Sequence, residues 1–397
     1  MAAEAAGRPP KRAIFFVYDG GTGVGHLRRL GCIARRLQGR LSCLIVTGHR
    51  SAAHWFVPEE CEYVHLPSWD SLLEAKARYW GRRPFVFLDE ADAVRLRKAI
   101  LTAVVEAFEP DVIFVDHLPL GAGEEIADVI KDTRCLKYLV TRGVLNETVN
   151  LRELVFGGKA GRYLDSYYHR ILVATDRKVF DFAAQYNISP EIREKTVHTG
   201  YVTDSVPQGT VKTAREDRGL KDGDTWVVAS AGGGQLGEPL IEGCLELVRA
   251  YPDVTFDIVQ GPRSNIAWTW RHRDVIETGN LRLHRETHQM PFFHAGADLV
   301  VSSGGYNSLL EALQGNAKIL CFPFWKDRRD EQYRHAARLR QFVDLDVSVD
   351  LSELPELFAR AIGSIGSRGV RDRRAELDFD GTGAIERIVH RDLGLSG

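Results

Sequence analysis

Ala13-Ile-Phe-Phe-Val-Tyr-Asp-Gly-Gly-Thr-Gly-Val-Gly25 is the stretch that decides the fold. Its first six residues form a continuous apolar run, which is typical of a parallel strand covered on both faces. The glycine-rich segment from Asp19 leads into a helical pattern over residues 26–37 and then into a second apolar run, Leu41-Ser-Cys-Leu-Ile-Val46. Strand, glycine turn, helix and strand in this order predict a βαβ unit.

The same order returns in the second half of the chain. Trp226-Val-Val-Ala-Ser230 is followed by Ala231-Gly-Gly-Gly234, a helical pattern at about 239–249 and the run Val254-Thr-Phe-Asp-Ile-Val259. Further short apolar runs separate helical stretches in both halves, at 111–115, 136–140, 170–174, 298–302 and 318–322. This alternation predicts an α/β fold with two Rossmann-like domains, each a doubly wound parallel sheet.

A polar stretch lies between the two halves. Residues 201–224 contain Pro207 and three glycines and show little apolar periodicity. We therefore predict an N-terminal domain over 1–203, a linker over 204–221 and a C-terminal domain over 222–397, which suits the length of the chain.

Composition excludes several classes of protein. The 52 Lys and Arg residues balance 54 Asp and Glu residues, and 44% of the chain is apolar, so neither a disordered chain nor a nucleic-acid-binding polycation is indicated. No segment has the length and hydropathy of a secretory signal or a membrane span, which predicts a cytoplasmic protein. The six cysteines are scattered without metal-ligand spacing and predict reduced core thiols and no zinc site.

The glycine turns predict a nucleotide diphosphate site. Gly232-x-Gly234-x-x-Gly237 has the dinucleotide spacing, but neither following strand ends in the acidic residue that would bind a ribose diol. Thr47-Gly-His49 and Gln260-Gly261 stand there instead, and no P-loop motif exists. A glycine turn before a helix still offers backbone N–H groups to a diphosphate.

Ser302-Ser-Gly-Gly-Tyr-Asn-Ser-Leu-Leu-Glu311 is the strongest single stretch, because a strand ends there in two glycines and a helix begins. Glu311, two turns into that helix, is suited to accept hydrogen bonds from ribose hydroxyls, although an exposed helix residue is an equal alternative. Asp330, Glu331 and Gln332 begin another helix, where they would face ligand hydroxyls or act as ordinary caps.

Five motifs in this order resemble the MurG-like glycosyltransferases of the GT-B superfamily over nearly the whole chain. They are Gly23-Val-Gly-His-Leu-Arg-Arg29, Val115-Asp-His-Leu-Pro-Leu-Gly121, Ala231-Gly-Gly-Gly-Gln235, Gly304-Gly-Tyr-Asn-Ser-Leu-Leu-Glu311 and Asp330-Glu-Gln332. The resemblance implies GT-B architecture, with the two domains facing a central cleft and the nucleotide-sugar donor bound by the second. It also implies inverting transfer. GT-B chains commonly end in a helix that packs back on the first domain, here at about 375–397.

The resemblance also assigns the donor-binding residues. The diphosphate would be held by Gly232, Gly233, Gly234, Gln235, Gly304 and Gly305, beside Asn307 and Ser308. Glu311 would bind the ribose, and the sugar would meet Asp330, Glu331 and Gln332. The base would lie against the backbone near His288, Gln289 and Met290. Arg263 is a further candidate, with a surface ion pair as the alternative.

Catalytic candidates lie in the first half. His26 follows the first glycine loop, and Asp116 and His117 follow a parallel strand at the end where α/β sheets bind ligands. A histidine is suited to proton transfer at neutral pH, so His26 or Asp116 is the predicted base; ordering the glycine loop is the alternative for His26. Gly23, Gly25 and Arg142 are candidates for acceptor binding, although a structural role is the stronger reading of Arg142.

These observations predict an inverting glycosyltransferase that moves a sugar from a nucleoside-diphosphate sugar to a hydroxyl of a soluble small molecule, for example in natural-product biosynthesis. Uridine is the family's default, with dTDP and GDP donors open. We predict no cofactor and no metal, since backbone amides can stabilise the leaving group; the D-x-D patterns at 344–346 and 378–380 are read as coincidence. A nucleotide-sugar 2-epimerase and a non-catalytic nucleotide-sugar sensor are the alternatives.

Overall fold

The computed structural model of the chain describes residues 10–19, 24–49, 53–69, 89–145, 154–207, 209–233, 237–261, 264, 273–325, 330–366 and 373–395. The chain divides into two compact units. The first comprises Met1–Gly143, Val149–Val202 and Asp380–Gly397, and the second comprises Val144–Thr148 and Thr203–Phe379.

The first unit contains a seven-stranded parallel sheet. Its strands are β1 (Lys11–Phe16), β2 (Leu41–Thr47), β3 (Glu62–His65), β4 (Val112–Asp116), β5 (Leu136–Thr141), β6 (Arg170–Val173) and β7 (Thr196–His198), in the spatial order β3-β2-β1-β4-β5-β6-β7. The connecting helices are α1 (Gly25–Leu37), α2 (Ala53–Phe56), α3 (Glu90–Phe108), α4 (Ala127–Asp132), α5 (Gly158–Tyr167), α6 (Phe182–Tyr186) and α7 (Pro190–Lys195). All five residues of β4 are buried, which explains why this strand is a continuous apolar run.

The second unit contains a six-stranded parallel sheet. Its strands are β8 (Thr225–Ser230), β9 (Val254–Val259), β10 (Leu281–His284), β11 (Leu299–Ser302), β12 (Lys318–Cys321) and β13 (Leu345–Val347), in the order β10-β9-β8-β11-β12-β13. The helices are α8 (Thr210–Arg218), α9 (Glu238–Ala250), α10 (Arg273–Ile276), α11 (Met290–Gly296), α12 (Tyr306–Gln314), α13 (Glu331–Leu339) and α14 (Leu354–Ile362). Short 3-10 turns cover Leu351–Glu353 and Arg374–Glu376. The prediction of two parallel-sheet, Rossmann-like domains is confirmed.

Each sheet reverses its strand order at one point. The chain builds β1, β2 and β3 outward in one direction and then returns to place β4 on the other side of β1. In the second sheet the same reversal lies between β8 and β11. In open α/β sheets the ligand crevice lies beyond the carboxyl ends of the strands at this reversal. The fold therefore marks one candidate site in each unit.

Residues 204–221, predicted as a linker, contain helix α8 and belong to the second unit. Arg215 anchors α8 by donating from Nη1 to the carbonyl of Gly296 at 2.9 Å and to Asp298 Oδ2 at 3.0 Å. The helix is mostly charged and buries only Thr210 and Ala214, so it carries no apolar periodicity that a sequence pattern would reveal.

The last helix, α15 (Gly381–Leu393), belongs to the first unit and packs beside α1. Ile385, Ile388 and Val389 are buried in the same apolar cluster as the α1 residues Leu27 and Leu30. Asp392 accepts hydrogen bonds from Arg170 Nε at 2.6 Å and from Tyr138 Oη at 3.0 Å. Residues far apart in the sequence thus complete one core.

Candidate active site

His26 and Asp116 meet at the strand-order reversal of the first sheet. His26 is the second residue of α1, directly after the glycine loop that follows β1, and Asp116 is the last residue of the neighbouring strand β4. His26 Nδ1 lies 2.7 Å from Asp116 Oδ2, and the Asp116 side chain is fully buried while that of His26 keeps 12% of its exposure. Because the carboxylate occupies Nδ1, Nε2 is the ring nitrogen left to accept a proton.

Arg29 and Tyr18 complete this pair, and the sequence analysis assigned a role to neither. Arg29 lies one turn after His26 on α1 and donates from Nη2 to the second carboxylate oxygen, Asp116 Oδ1. The backbone N–H of Tyr18 donates to Asp116 Oδ2 at 3.3 Å. The Tyr18 ring lies edge-on to the rings of His26 and His117, with centroid distances of 4.9 Å and 5.1 Å. Asp116 is therefore a buried carboxylate with three partners.

At neutral pH this cluster contains a charged carboxylate and a neutral imidazole. Burial raises the pKa of Asp116, but the charges of Arg29 and His26 outweigh it and hold that pKa well below its usual range. Burial lowers the pKa of His26 to about 4, and Arg29 and Arg142 add to this effect while Asp116 opposes it. At neutral pH His26 is thus unprotonated, as a general base must be.

His117 occupies a strained turn directly after β4. Its φ is +66°, and the N–H of Leu118 donates to the carbonyl of Asp116 at 2.8 Å, which closes a three-residue turn around it. Such a turn is rare for a residue with a side chain and is found mostly at functional sites. The turn holds the His117 ring 5.2 Å from the ring of His26. Burial lowers the pKa of His117 well below its usual range, so both imidazoles are neutral.

The low pKa of His26 predicts a pH-dependent stability. The unfolded chain takes up a proton at His26 near pH 6.5 and the folded chain only near pH 4, so the stability contributed above pH 6.5 is lost as the pH falls through this window. Between pH 7 and pH 5 the free energy of unfolding should fall by about 2 kcal/mol more in the wild type than in His26→Gln. Urea unfolding at both pH values measures this, with His54→Gln, an exposed histidine of the same unit, as control. Equal losses in wild type and His26→Gln would contradict it.

A second buried network secures the chain ahead of the glycine loop. Asp19 follows Tyr18 and is held by Arg97 of α3 through two bonds of 2.9 Å, Nη1 to Oδ2 and Nη2 to Oδ1. Arg97 Nε also donates to Glu125 Oε1 at 3.1 Å, and its guanidinium lies 5.2 Å from the ring of Trp69. A small cavity is lined by Tyr18, Asp19, Arg97 and Glu125, together with Asp116. The network therefore borders the His26–Asp116 pair.

Two glycine turns meet at the strand-order reversal of the second sheet. Gly232 follows β8, Gly304 and Gly305 follow β11, and these strands are hydrogen-bonded neighbours. Gly304 has φ +75°, and a Cβ there would lie 3.0 Å from Cys321 Sγ and from Pro323 Cβ, so any other residue would be strained. Gly305 directly precedes α12 with φ −57°, and a Cβ there would meet nothing closer than Ser308 Oγ at 3.7 Å. The turn thus leads into the N-terminal end of α12, the kind of helix end at which anions bind.

Glu311 lies inside the second unit and is only 2% exposed. Its Oε2 is 3.1 Å from Nδ1 of His294, a residue of α11 with no exposure. The alternative interpretation, in which Glu311 is an exposed helix residue, is therefore wrong, because the side chain turns inward between α11 and α12. A role in ribose binding stays a prediction.

The remaining predicted donor residues are distributed over several turns. His288 and Gln289 are exposed and Met290 begins α11. Asp330 precedes α13 and Glu331 begins it, while Gln332 Oε1 accepts from the N–H of Phe324 at 3.1 Å. Asn307 and Ser308 lie on α12 and are half-buried. Of the predicted residues, Gly23, Gly234, Gln235 and Arg263 lie outside the described residues, whereas Gly25 begins α1 and Arg142 follows β5.

The aspartates of the first D-x-D pattern are occupied by cationic side chains. Asp344 Oδ2 is 2.9 Å from Lys318 Nζ, and Asp346 Oδ2 is 3.2 Å from Arg360 Nη2. Over the described part of the chain, no three His, Cys, Asp or Glu side chains are grouped as a metal site would require.

Comparisons of sequence and structure relate this chain to known proteins. No family model matches the chain. A protein of Methanosarcina acetivorans described as an uncharacterized glycosyltransferase is 20% identical over 319 residues, which is 74% of this chain and 76% of that protein. UGT2 of Phytolacca americana, solved with UDP-2-fluoroglucose and pterostilbene, superposes with a TM-score of 0.63 at 14% identity, covering 96% of this chain and 99% of that one. The chain has the GT-B fold.

The GT-B fold is shared by proteins of different activity. The UDP-GlcNAc 2-epimerase of Neisseria meningitidis, solved with UDP-GlcNAc, superposes with a TM-score of 0.59 at 14% identity, over 97% of this chain and all of that one. At such identities the likeness shows the fold alone, and the narrower resemblance to MurG stays a prediction. Among the described residues of this GT-B chain, no helix has the length and apolar character needed to cross a membrane.

Proposed function

We propose that this protein is a metal-independent, inverting glycosyltransferase that moves a sugar from a nucleoside-diphosphate sugar to a hydroxyl of a small-molecule acceptor. The His26–Asp116 pair carries this proposal, since it joins a neutral imidazole to a buried ionised carboxylate at the strand-order reversal of the first sheet. Sugar transfer to a hydroxyl requires a base of this kind, whereas a mere nucleotide-sugar sensor does not.

The first half of the proposed mechanism is removal of the acceptor proton. The acceptor oxygen attacks the anomeric carbon of the donor sugar while His26 Nε2 takes its proton. Asp116 keeps the ring in the productive tautomer through Nδ1 and stabilises the imidazolium as it forms. Arg29 keeps the carboxylate ionised, so the proton stays on His26.

The second half is departure of the nucleoside diphosphate. The bond from the anomeric carbon to the diphosphate oxygen breaks as the new bond forms, and a single displacement inverts the sugar's configuration. We assign the diphosphate to the turn at Gly304 and Gly305, where the backbone N–H groups and the positive end of α12 would stabilise developing negative charge without a metal. Glu311 and Gln332, from neighbouring helices, are the proposed contacts to ribose and sugar.

We assign acceptor binding to the first unit. Arg142 lies near enough to the cluster for its charge to lower the pKa values of His26 and His117, and it would orient an anionic group of an acceptor. We propose a small soluble acceptor, such as a natural-product intermediate, a cytoplasmic location and UDP as the leaving nucleotide.

Nucleotide binding is the first test. UDP, dTDP, GDP, ADP and NAD are compared by thermal shift, because a ligand that binds only the folded chain stabilises it by RT ln(1 + [L]/Kd). One nucleoside diphosphate should raise the melting temperature in the wild type and fail to do so in Gly305→Ala. This variant should fold normally, since φ and the open space suit alanine, yet its methyl group fills the proposed anion site.

Gly363→Ala is the matched control, since it makes the same change at the end of α14 with φ −63°. It should respond to the nucleotide like the wild type. A shift by NAD alone, or an unchanged nucleotide shift in Gly305→Ala, would contradict the assignment of this turn. Incubating the enzyme with donor alone and analysing the products then separates the two GT-B activities, because an epimerase yields altered sugar without an acceptor.

A further inference from the structure

Cys43 and Cys61 stand side by side at one edge of the first sheet. Cys43 lies on β2, and Cys61 comes directly before β3, the edge strand paired with it. The ladder pairs Leu44 with Glu62, the residues that follow the two cysteines. Neighbouring strands are about 4.8 Å apart, within the range of about 4.4–6.8 Å that a disulfide requires between Cα atoms. The backbone thus places both thiols in register.

Both side chains turn to the same side of the sheet, beneath the end of α1. They are 6% and 8% exposed, and both belong to the apolar cluster that α1 covers. The two thiols are close enough to shift each other's pKa. The Cys61 thiol donates to Oε1 of Gln38, the residue directly after α1, at 3.5 Å, and Cys43 Sγ lies 3.6 Å from the carbonyl of Leu41 and 3.9 Å from that of Ala34. The two cysteines therefore lie beside each other on the same face of the sheet in the reduced protein.

The two thiols differ in acidity. Interaction with the neighbouring Cys43 thiol lowers the pKa of Cys61, and the charge of Arg35 adds to this against the opposing effect of burial. Interaction with Cys61 and burial raise the pKa of Cys43. Cys61 is thus disposed to react as a thiolate and Cys43 to remain protonated. These are the states expected of an attacking and a resolving cysteine.

We propose that Cys43 and Cys61 form a reversible disulfide when the protein meets hydrogen peroxide. The Cys61 thiolate attacks one peroxide oxygen, the O–O bond breaks, and Cys61 becomes a sulfenic acid as hydroxide leaves and is protonated to water. Cys43 Sγ then attacks the Cys61 sulfur, loses its proton and expels a second water. Two thiols give up two electrons to the peroxide, which is reduced to two molecules of water.

The test is hydrogen peroxide treatment of the folded full-length protein, followed by thiol counting after denaturation and by peptide mapping. Two of the six thiols should disappear, the mapped cross-link should join Cys43 to Cys61, and dithiothreitol should restore both. Cys43→Ser should abolish the cross-link and leave a sulfenic acid at Cys61 that a cyclic diketone reagent traps. Circular dichroism before oxidation establishes that each variant is folded.

Cys135→Ser is the matched control, because Cys135 is the partly exposed cysteine of the same unit and should not be needed. Cross-linking that requires Cys135, a disulfide between other cysteines, or sulfinic acid at Cys61 of the wild type without a cross-link would overturn the proposal. None of these outcomes depends on the proposed transferase activity, so the two can fail separately.

Discussion

Asp116→Asn should lower kcat/KM for glycosyl transfer by about 10³-fold. An asparagine keeps one acceptor oxygen, which accepts from Arg29, so its amide group turns toward His26. That amide donates, so His26 Nδ1 must accept and the ring proton moves to Nε2. The imidazole is then in the wrong tautomer to take a proton from the acceptor. Initial rates with saturating donor measure the effect once an acceptor is identified.

The controls separate this tautomer effect from damage to the fold. Asp128→Asn removes an exposed carboxylate of the same unit, paired with Lys98, and should leave the rate unchanged. Thermal shift by the nucleoside diphosphate should persist in Asp116→Asn, because that site lies in the second unit. His26→Gln should lose about as much activity as Asp116→Asn, and the double variant little more, since the two residues act as one. Wild-type rates in Asp116→Asn, or additive losses, would show that Asp116 does not orient the base.

Arg97→Ala should lower the unfolding free energy by about 3–5 kcal/mol. The guanidinium is 3% exposed and pairs with two buried carboxylates, Asp19 and Glu125. Removing it leaves both carboxylates in the interior without their cation, and the chain between β1 and the glycine loop loses its anchor. Urea unfolding of wild type and variant measures the difference.

Arg95→Ala is the control, because Arg95 lies on the same helix, is 81% exposed and pairs only with Asp92 one turn away. It should change the unfolding free energy by less than about 0.5 kcal/mol. Equal effects of the two substitutions would show that the Asp19–Arg97–Glu125 network carries no net stability.

The central strands were predictable from the sequence, and the edge strands were not. In β1, β4, β8 and β11 most residues are buried, so each strand leaves a continuous apolar run. The four strands missing from the sequence prediction, β3, β7, β10 and β13, are the outermost strands of the two sheets. Three or four residues with partly exposed side chains leave no run to detect.

The candidate site was predictable only where chain position sufficed. His26 and Asp116 stand directly after a glycine loop and at the end of a buried strand, which are local signals. Arg29 and Arg97 carry no such signal, because each is defined by a carboxylate more than seventy residues away that the fold brings to it. The inward turn of Glu311 likewise depends on His294, a residue of a different helix.

The position of α15 has a consequence for synthesis on the ribosome. The first unit needs Ile385, Ile388 and Val389 to cover α1, and these residues are made after the whole second unit. While the second unit is being synthesised, the apolar surface around Leu27 and Leu30 lacks its cover, and nascent chains in this state are prone to aggregate. The half of the protein that leaves the ribosome first is the half that is finished last.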